Sequence, residues 1–482
     1  MRHTRLATAA LLLISLSAPA LAATSQDDAD KLKASLQQYI GEGADAVTIT
    51  PDGDGFKVVI DVSPLMEKAK ADVTVSPIDF MMTPAGDGKW KVSHEGPFVL
   101  SGKSESQGFS FTENFESLTF NGEYDEALAA FTTMEGKSTN ITFEEAAKDD
   151  KGTDMKASGK IASTDFKGTG AANSAGGVDV KFDETVGAGE LTEDFTSPDM
   201  GGQPVHVNVK FGGGTFNGTV GGAKSAAILS FFKFMALHPD PKVSVSDQDE
   251  LKGLLRDLLP GFASADLSGS FNGLEAETPI GGFKLAKLGV GIKANGLVKD
   301  GKVEETFSVE GLEIPPGLVP AWASSLVTKN ASFGVQVSGY DLESFLKAEI
   351  DSADFSKDTP IEKDVEDKNA ALIMPNGTVN VTLTQYNMSN DTYNVSATGS
   401  MTAGPTAQPS GQAHISIKGL DELMKVAQAA PPEAGLQSVT AVVVVAKGLA
   451  KPDADGALGW DIAATPDGKI TVNGTDMSQL KQ

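Results

Sequence analysis

Apolar and polar residues alternate over most of the chain. Phe56, Val58 and Ile60 alternate with Lys57 and Asp61, Val205, Val207, Val209 and Phe211 with His206, Asn208 and Lys210, and Val379, Val381 and Leu383 with Asn380, Thr382 and Thr384. Successive side chains of a strand point to opposite faces, so this period predicts antiparallel sheets with one apolar and one wet face. Phe307 with Val309, Ser332–Ser338, and Ala413 with Ile415 and Ile417 give further strands. Pro51-Asp52-Gly53, Gly86-Asp87-Gly88, Lys299-Asp300-Gly301 and Pro466-Asp467-Gly468 supply turns. Between Lys148 and Gly202 large apolar residues thin out, yet Ile161, Phe166, Val178, Val180 and Phe182 keep a weak alternation that predicts long strands. Val439–Ala446 is a continuous apolar run and predicts a buried strand.

The period changes in a few places. Ser25–Ile40 carries a helical stripe of Leu32, Leu36, Tyr39 and Ile40, with Ser25 and Asp28 as a capping pattern and Gly41 as its stop. Ala223–Phe262 reads as a helical pair. Its first member, Ala226–Leu237, is apolar on nearly all sides, which means burial or lipid. The second has Leu251, Leu254, Leu255, Leu258 and Leu259 in one stripe. Ser246 or Asp247 is its N-cap, Asp249 or Glu250 completes a capping box, and Pro260-Gly261 ends it. Two core helices closing a sheet are the plainer reading. The sharper one is a lid over an apolar groove, in which Ile228, Phe231, Phe232 and Met235 contact an apolar ligand. Leu342–Ile350 and Leu420–Ala429 are short helices, and Asp351–Asp367 is a charged loop or exposed helix.

These elements predict an α+β, predominantly β fold: long antiparallel, meander-like sheets, a central helical pair, and short helices in the N- and C-terminal halves. The expected division is a signal peptide over 1–22, a β-rich half over 23–222 opened by a helix, and a second half over 223–482 opened by the helical pair. No linker separates the halves, which can share one continuous sheet.

Arg2 and Arg5, the apolar stretch Leu6–Ala18 and the small residues before Ala22 form a secretory leader, with cleavage expected between Ala22 and Ala23. No later stretch is long and apolar enough to span a bilayer. The chain has no cysteine, so an exported form must rest on its own core; this points to a bacterial periplasm. A net charge of −26 argues against nucleic acid and against anionic lipid headgroups. Nine Asn-x-Ser/Thr sequons follow from Asn- and Thr-rich turns and strand faces.

The candidate chemistry is thin. Gly218–Ser225 nearly matches a phosphate-binding loop, but Ala223 stands where a glycine must precede Lys224. Asp453-Ala454-Asp455-Gly456 resembles the start of a calcium loop without its closing Glu, and a tight turn fits better. His94, His206, His238 and His414 have no metal-ligand spacing, and no nucleophile elbow occurs. Neighbouring carboxylates such as Glu304-Glu305 would point to opposite faces of a strand. No catalytic, cofactor-binding or metal-ligating residue is assigned.

The C-terminal run Pro466–Gly474, the segment Glu250–Phe262 followed by Thr278-Pro279-Ile280-Gly281, and the leader together resemble an exported alphaproteobacterial family, the domain-of-unknown-function family 2125. Envelope families of this appearance are β-rich, and some shield lipids in long grooves. The resemblance implies a direction for function and no residue-level site. The leading expectation is a non-enzymatic periplasmic envelope protein that binds a lipid, another apolar ligand or an envelope protein partner on a sheet face. A structural protein pairing through its sheet edges comes second. An envelope hydrolase assembled from distant strands comes third.

Overall fold

Long strands running back and forth dominate the computed structural model, which describes residues 24–40, 46–61, 63, 74–104, 108–148, 153–196, 202–238, 242–405 and 407–477. The leader and the Ala22/Ala23 junction lie outside the described residues. The fold is predominantly β, of the α+β class, with antiparallel pairing throughout the meanders. The chain divides into two compact units. The first runs to Ala265 and includes Lys347–Glu366; the second comprises Asp266–Leu346 and Asp367–Gln482. The helical pair therefore falls within the first unit, and the boundary lies beyond Gly222.

The first unit opens with helix α1 (Gln26–Ile40) and strands β1 (Val47–Asp52), β2 (Gly55–Ile60), β3 (Thr74–Val75) and β4 (Ile78–Gly86). Long strands follow: β5 (Lys89–Ser104), β6 (Phe109–Asp125), β7 (Ala130–Lys148) and β8 (Asp154–Ala172). β9 (Val178–Val186), β10 (Gly189–Thr196), β11 (Pro204–Phe211) and β12 (Gly213–Ala223) complete its meander. β8 is long enough to pair with β10 through Asp154–Ile161 and with β9 through Thr164–Ala172. The weak alternation after Lys148 thus does form long strands. Along β6, β7 and β8 the alternation slips by one residue near Ser117, Asn140 and Ser163, with Asn140 at a left-handed φ of 50°. These slips keep one apolar face continuous where strict alternation would have inverted it.

The core of this unit lies at one end of that face. Ser25 caps α1 as expected: its hydroxyl accepts from the Asp28 amide at 3.2 Å and donates to the Asp28 carboxylate at 2.7 Å. Ala29, Leu32 and Leu36 of α1 are buried against Phe56, Val58, Met82, Trp90 and Tyr124 of the sheet. The helical pair, α2 (Ser225–Leu237) and α3 (Gln248–Asp257), forms a second core around Phe234, Val243 and Leu251. Phe355 packs against it, and Gln248 donates to Asp354 at 2.9 Å. The expected capping box of α3 does not form. Asp247 is the N-cap residue, and its carboxylate is taken by the hydroxyls of Ser244 and Ser246.

The second unit contains β14 (Gly281–Ala294), β15 (Gly301–Glu310), β16 (Asn330–Tyr340), β17 (Val379–Ser389), β18 (Asn394–Ala403) and β19 (Ser410–Lys418), each paired with the next. β13 (Ser264–Thr278) precedes them. β19 pairs onward with β21 (Leu458–Ala464), which also holds β20 (Lys451–Pro452); β22 (Ile470–Val472) and β23 (Thr475–Asp476) close the chain. Helices α4 (Leu342–Ser352) and α5 (Lys363–Ala370) stand between β16 and β17, and α6 (Leu420–Ala429) and α7 (Gln437–Leu449) between β19 and β20.

α7 corrects one expectation, for Val439–Ala446 is helical and not a buried strand. An uninterrupted apolar run has no period to separate the two states. Here the 13 residues between Leu436 and Ala450 exceed the usual strand of about 5–6 residues and close as a helix of more than three turns.

Candidate functional site

The register of the second unit sorts its residues by chemistry. Leu288, Val290 and Ile292 of β14 stand opposite Val309, Phe307 and Glu305 of β15, which stand opposite Ala331, Phe333 and Val335 of β16. Phe333 and Val335 lead to Tyr386 and Leu383 of β17, then to Ala397 and Gly399 of β18, Ile415 and Ala413 of β19, and Trp460 and Ile462 of β21. A bulge in β17, where the register shifts between Leu383 and Tyr386, keeps both residues on the same face. Paired residues share a face, so this row is apolar across the unit and Glu305 is its one carboxylate. The opposite face carries Glu304, Thr306, Ser332, Gln336, Thr382, Thr398, Ser400, Gln412, His414 and Asp461.

Among the described residues, one end of the apolar face is covered by helices. Trp460 is buried there and donates its indole N–H to the Ala446 carbonyl of α7 at 2.8 Å. Leu420 of α6 is buried as well. Farther along, Val290, Phe307, Phe333 and Met401 remain 41–49% exposed. A hollow of about 370 Å³ opens on this stretch, walled by Val335, Val381, Leu383, Met401 and Ile462. Gly399, Gly411 and Ala413 also line it, together with Ser400 and Gln412. The volume lies within the roughly 300–1,000 Å³ of small-molecule sites.

The first unit has a comparable stretch beyond its core. Half-buried Phe111, Phe115, Phe143, Ile161 and Leu191 and fully buried Ile141 share a face with three carboxylates, Glu113, Glu145 and Glu193. Burial raises the pKa of Glu113.

The residues expected to touch a ligand lie on α2. Phe231 packs against the core of the helical pair, Phe232 is half-buried with its ring 6.0 Å from that of Phe231, and Ile228 and Met235 are 40% and 43% exposed. None of the four lines the hollow of the second unit. The apolar row was present in the sequence as the alternation of β16–β19, but the bulge in β17 and the missing cover were not.

An ionic cluster stands on the wet face. His414 lies between two carboxylates, with Nδ1 2.8 Å from Asp461 and Nε2 2.9 Å from Asp453. Both partners, Asp461 foremost, raise the His414 pKa, and the Ser416 hydroxyl and then His414 lower that of Asp453 to about 2. The Asp453–Gly456 segment therefore serves as a turn fastened to the sheet, with Lys451 paired to Gly459 across it. Asn473, in the Pro466–Gly474 run, fastens the next hairpin. It donates to the carbonyls of Leu449 at 2.7 Å and Gly459 at 3.0 Å and accepts from the Asp461 amide at 2.8 Å. Among the described residues no three acidic or histidine side chains converge as metal ligands, and no helix is long and apolar enough to cross a membrane.

No family model, no curated protein and no solved structure matches the chain.

Proposed function

We propose that this is an exported, non-enzymatic protein of the periplasm that binds the acyl chains of a lipid on the open apolar face of its second unit. The observation that carries the reading is the row through Phe307, Phe333, Leu383 and Ile462, which is apolar apart from Glu305 and exposed at Val290, Ile292, Phe307 and Phe333. Soluble proteins rarely leave a contiguous apolar patch of more than a few hundred Å² without a use for it. Acyl chains suit the face because they need no hydrogen bonds, and of the row's polar side chains the Tyr386 hydroxyl already contacts the Met388 sulfur at 2.7 Å and the Trp460 indole the Ala446 carbonyl at 2.8 Å, with Glu305 the third. From β14 to β22 the row spans roughly 34 Å at the usual strand spacing, room for an extended chain lying across the strands. The leader with Arg2 and Arg5 supports export, and the resemblance of Pro466–Gly474 to envelope families points the same way.

The test is native mass spectrometry with lipid extraction on the chain from Ala23 onward, purified without detergent. Lipid bound in fixed ratio is expected, and replacing Phe333 and Met401 together by Asp should remove it while leaving the circular dichroism spectrum unchanged. A bare mass that stays bare after incubation with envelope lipids would overturn the reading.

A further inference from the structure

The wet face of the second unit is hollowed as well. A groove of about 820 Å³ crosses β17, β18, β19, β21 and β22, within the roughly 300–1,000 Å³ of ligand sites. The pairing register sets its polar side chains in two ranks. Thr382, Ser400 and Gln412 stand opposite one another, with Thr471 beyond Ala463 in the same rank, and Thr398, His414 and Asp461 form the other. Elsewhere on this face polar side chains bond each other: Thr402 donates to Asn380 at 3.1 Å and Gln385 to Ser332 at 2.7 Å. In the groove, the side chains of Thr382, Thr398, Ser400, Gln412 and Thr471 have no hydrogen-bond partner among the described residues. The hydroxyl of Thr384, also in the wall, is buried and unbonded, where such groups are normally paired.

Charge and hydrogen-bond chemistry narrow the occupant. No lysine or arginine lines the groove, so an anion finds no counter-charge there. The one carboxylate in its lining, Asp461, already bonds His414, whose second nitrogen bonds Asp453. Asp461 and then Asp453 raise the His414 pKa, which favours the charged imidazole between them, so a cation would have to displace it. The unpaired groups are hydroxyls and an amide, which both donate and accept. They match a ligand without net charge that is dense in hydroxyls.

We propose that this groove binds a neutral saccharide chain laid across the strands, its hydroxyls bonding Thr382, Thr398, Ser400 and Gln412. Adjacent strands stand about 4.8 Å apart, close to the length of one sugar ring, so the chain can offer one ring to each strand. The site stands independently of acyl-chain binding on the other face.

The probes are two neutral tetramers, of N-acetylglucosamine and of β-1,4-linked glucose, titrated into the chain from Ala23 onward by isothermal calorimetry. At least one should bind. Gln412→Ala should weaken it roughly 3- to 10-fold, the worth of one net hydrogen bond. Ser400→Lys, which fills the groove, should abolish binding, while Ser308→Ala, on the same face outside the groove, should leave it unchanged. Replacing Phe333 and Met401 by Asp should leave sugar binding intact, so the lipid and sugar readings fail or stand separately. Circular dichroism shows that each variant is folded. Binding of neither tetramer, equal losses in the Gln412 and Ser308 variants, or binding of only the cationic glucosamine tetramer would overturn the proposal.

Discussion

The two units are built on the same alternation and end differently. In the first, α1 lies over one end of the apolar face, and Phe56, Val58 and Met82 are fully buried. In the second, among the described residues, helices cover the end at Trp460, and Phe307 and Phe333 remain nearly half exposed. An amphipathic sheet therefore offers an apolar face, but only a covering element turns that face into a core. Where no described element packs on the face, the same kinds of residue stay exposed.

The sharpest test sets one chemical change in both places. Phe56→Ala should destabilise the first unit by about 3–5 kcal/mol, the usual loss for a buried phenylalanine. Phe333→Ala, at 44% exposure, should cost less than ~1 kcal/mol in the second. Hydrogen exchange read separately for each unit in urea checks both values, and equal losses would erase the distinction. Next in size is Asn473→Ala. It removes three hydrogen bonds and leaves a β-carbon side chain at a φ of 50°, so the hairpin around Trp460 should lose about 1–3 kcal/mol, visible as faster exchange in β21 and β22. If it does not, the covered end of the second unit is held by burial of Trp460 and Leu420 alone. Ser25→Ala should cost the first unit about 1 kcal/mol through its helix cap, measured by thermal unfolding.

The smallest effect is on pH dependence. The folded-state pKa of His414 is raised, so its contribution is fully present below the unfolded value of about 6.5 and is lost as pH rises through the higher folded value. Asp453 has the opposite sense: its contribution is present above the ordinary aspartate range and lost as pH falls toward about 2. The second unit should therefore be most stable between these limits and decline slightly toward alkaline pH. His414→Gln should flatten the alkaline arm. Because His414 is 43% exposed, solvent screening keeps the change small, and an unchanged profile in the variant would show that the cluster adds no stability.

Much of this molecule is legible in its residues. The alternation in Val379–Thr384 and Val205–Phe211 fixes which side chains share a face, because strand geometry is local and of period two. The Ser25–Asp28 cap is equally local, and it forms. The valines of α7 are the counter-case: without a period, only the surrounding structure chose helix over strand. The bulge between Leu383 and Tyr386 is another, since slipping the register by one residue depends on the partner strands. What lies over each face also depends on where the chain returns after many residues, and no local pattern encodes that. Sequence alone thus set an acidic, cysteine-free, predominantly β chain with two-faced strands. The tertiary structure decided that α1 covers Phe56 and that Phe333 stays open, because burial is settled by what packs against a face and not by the residues that form it.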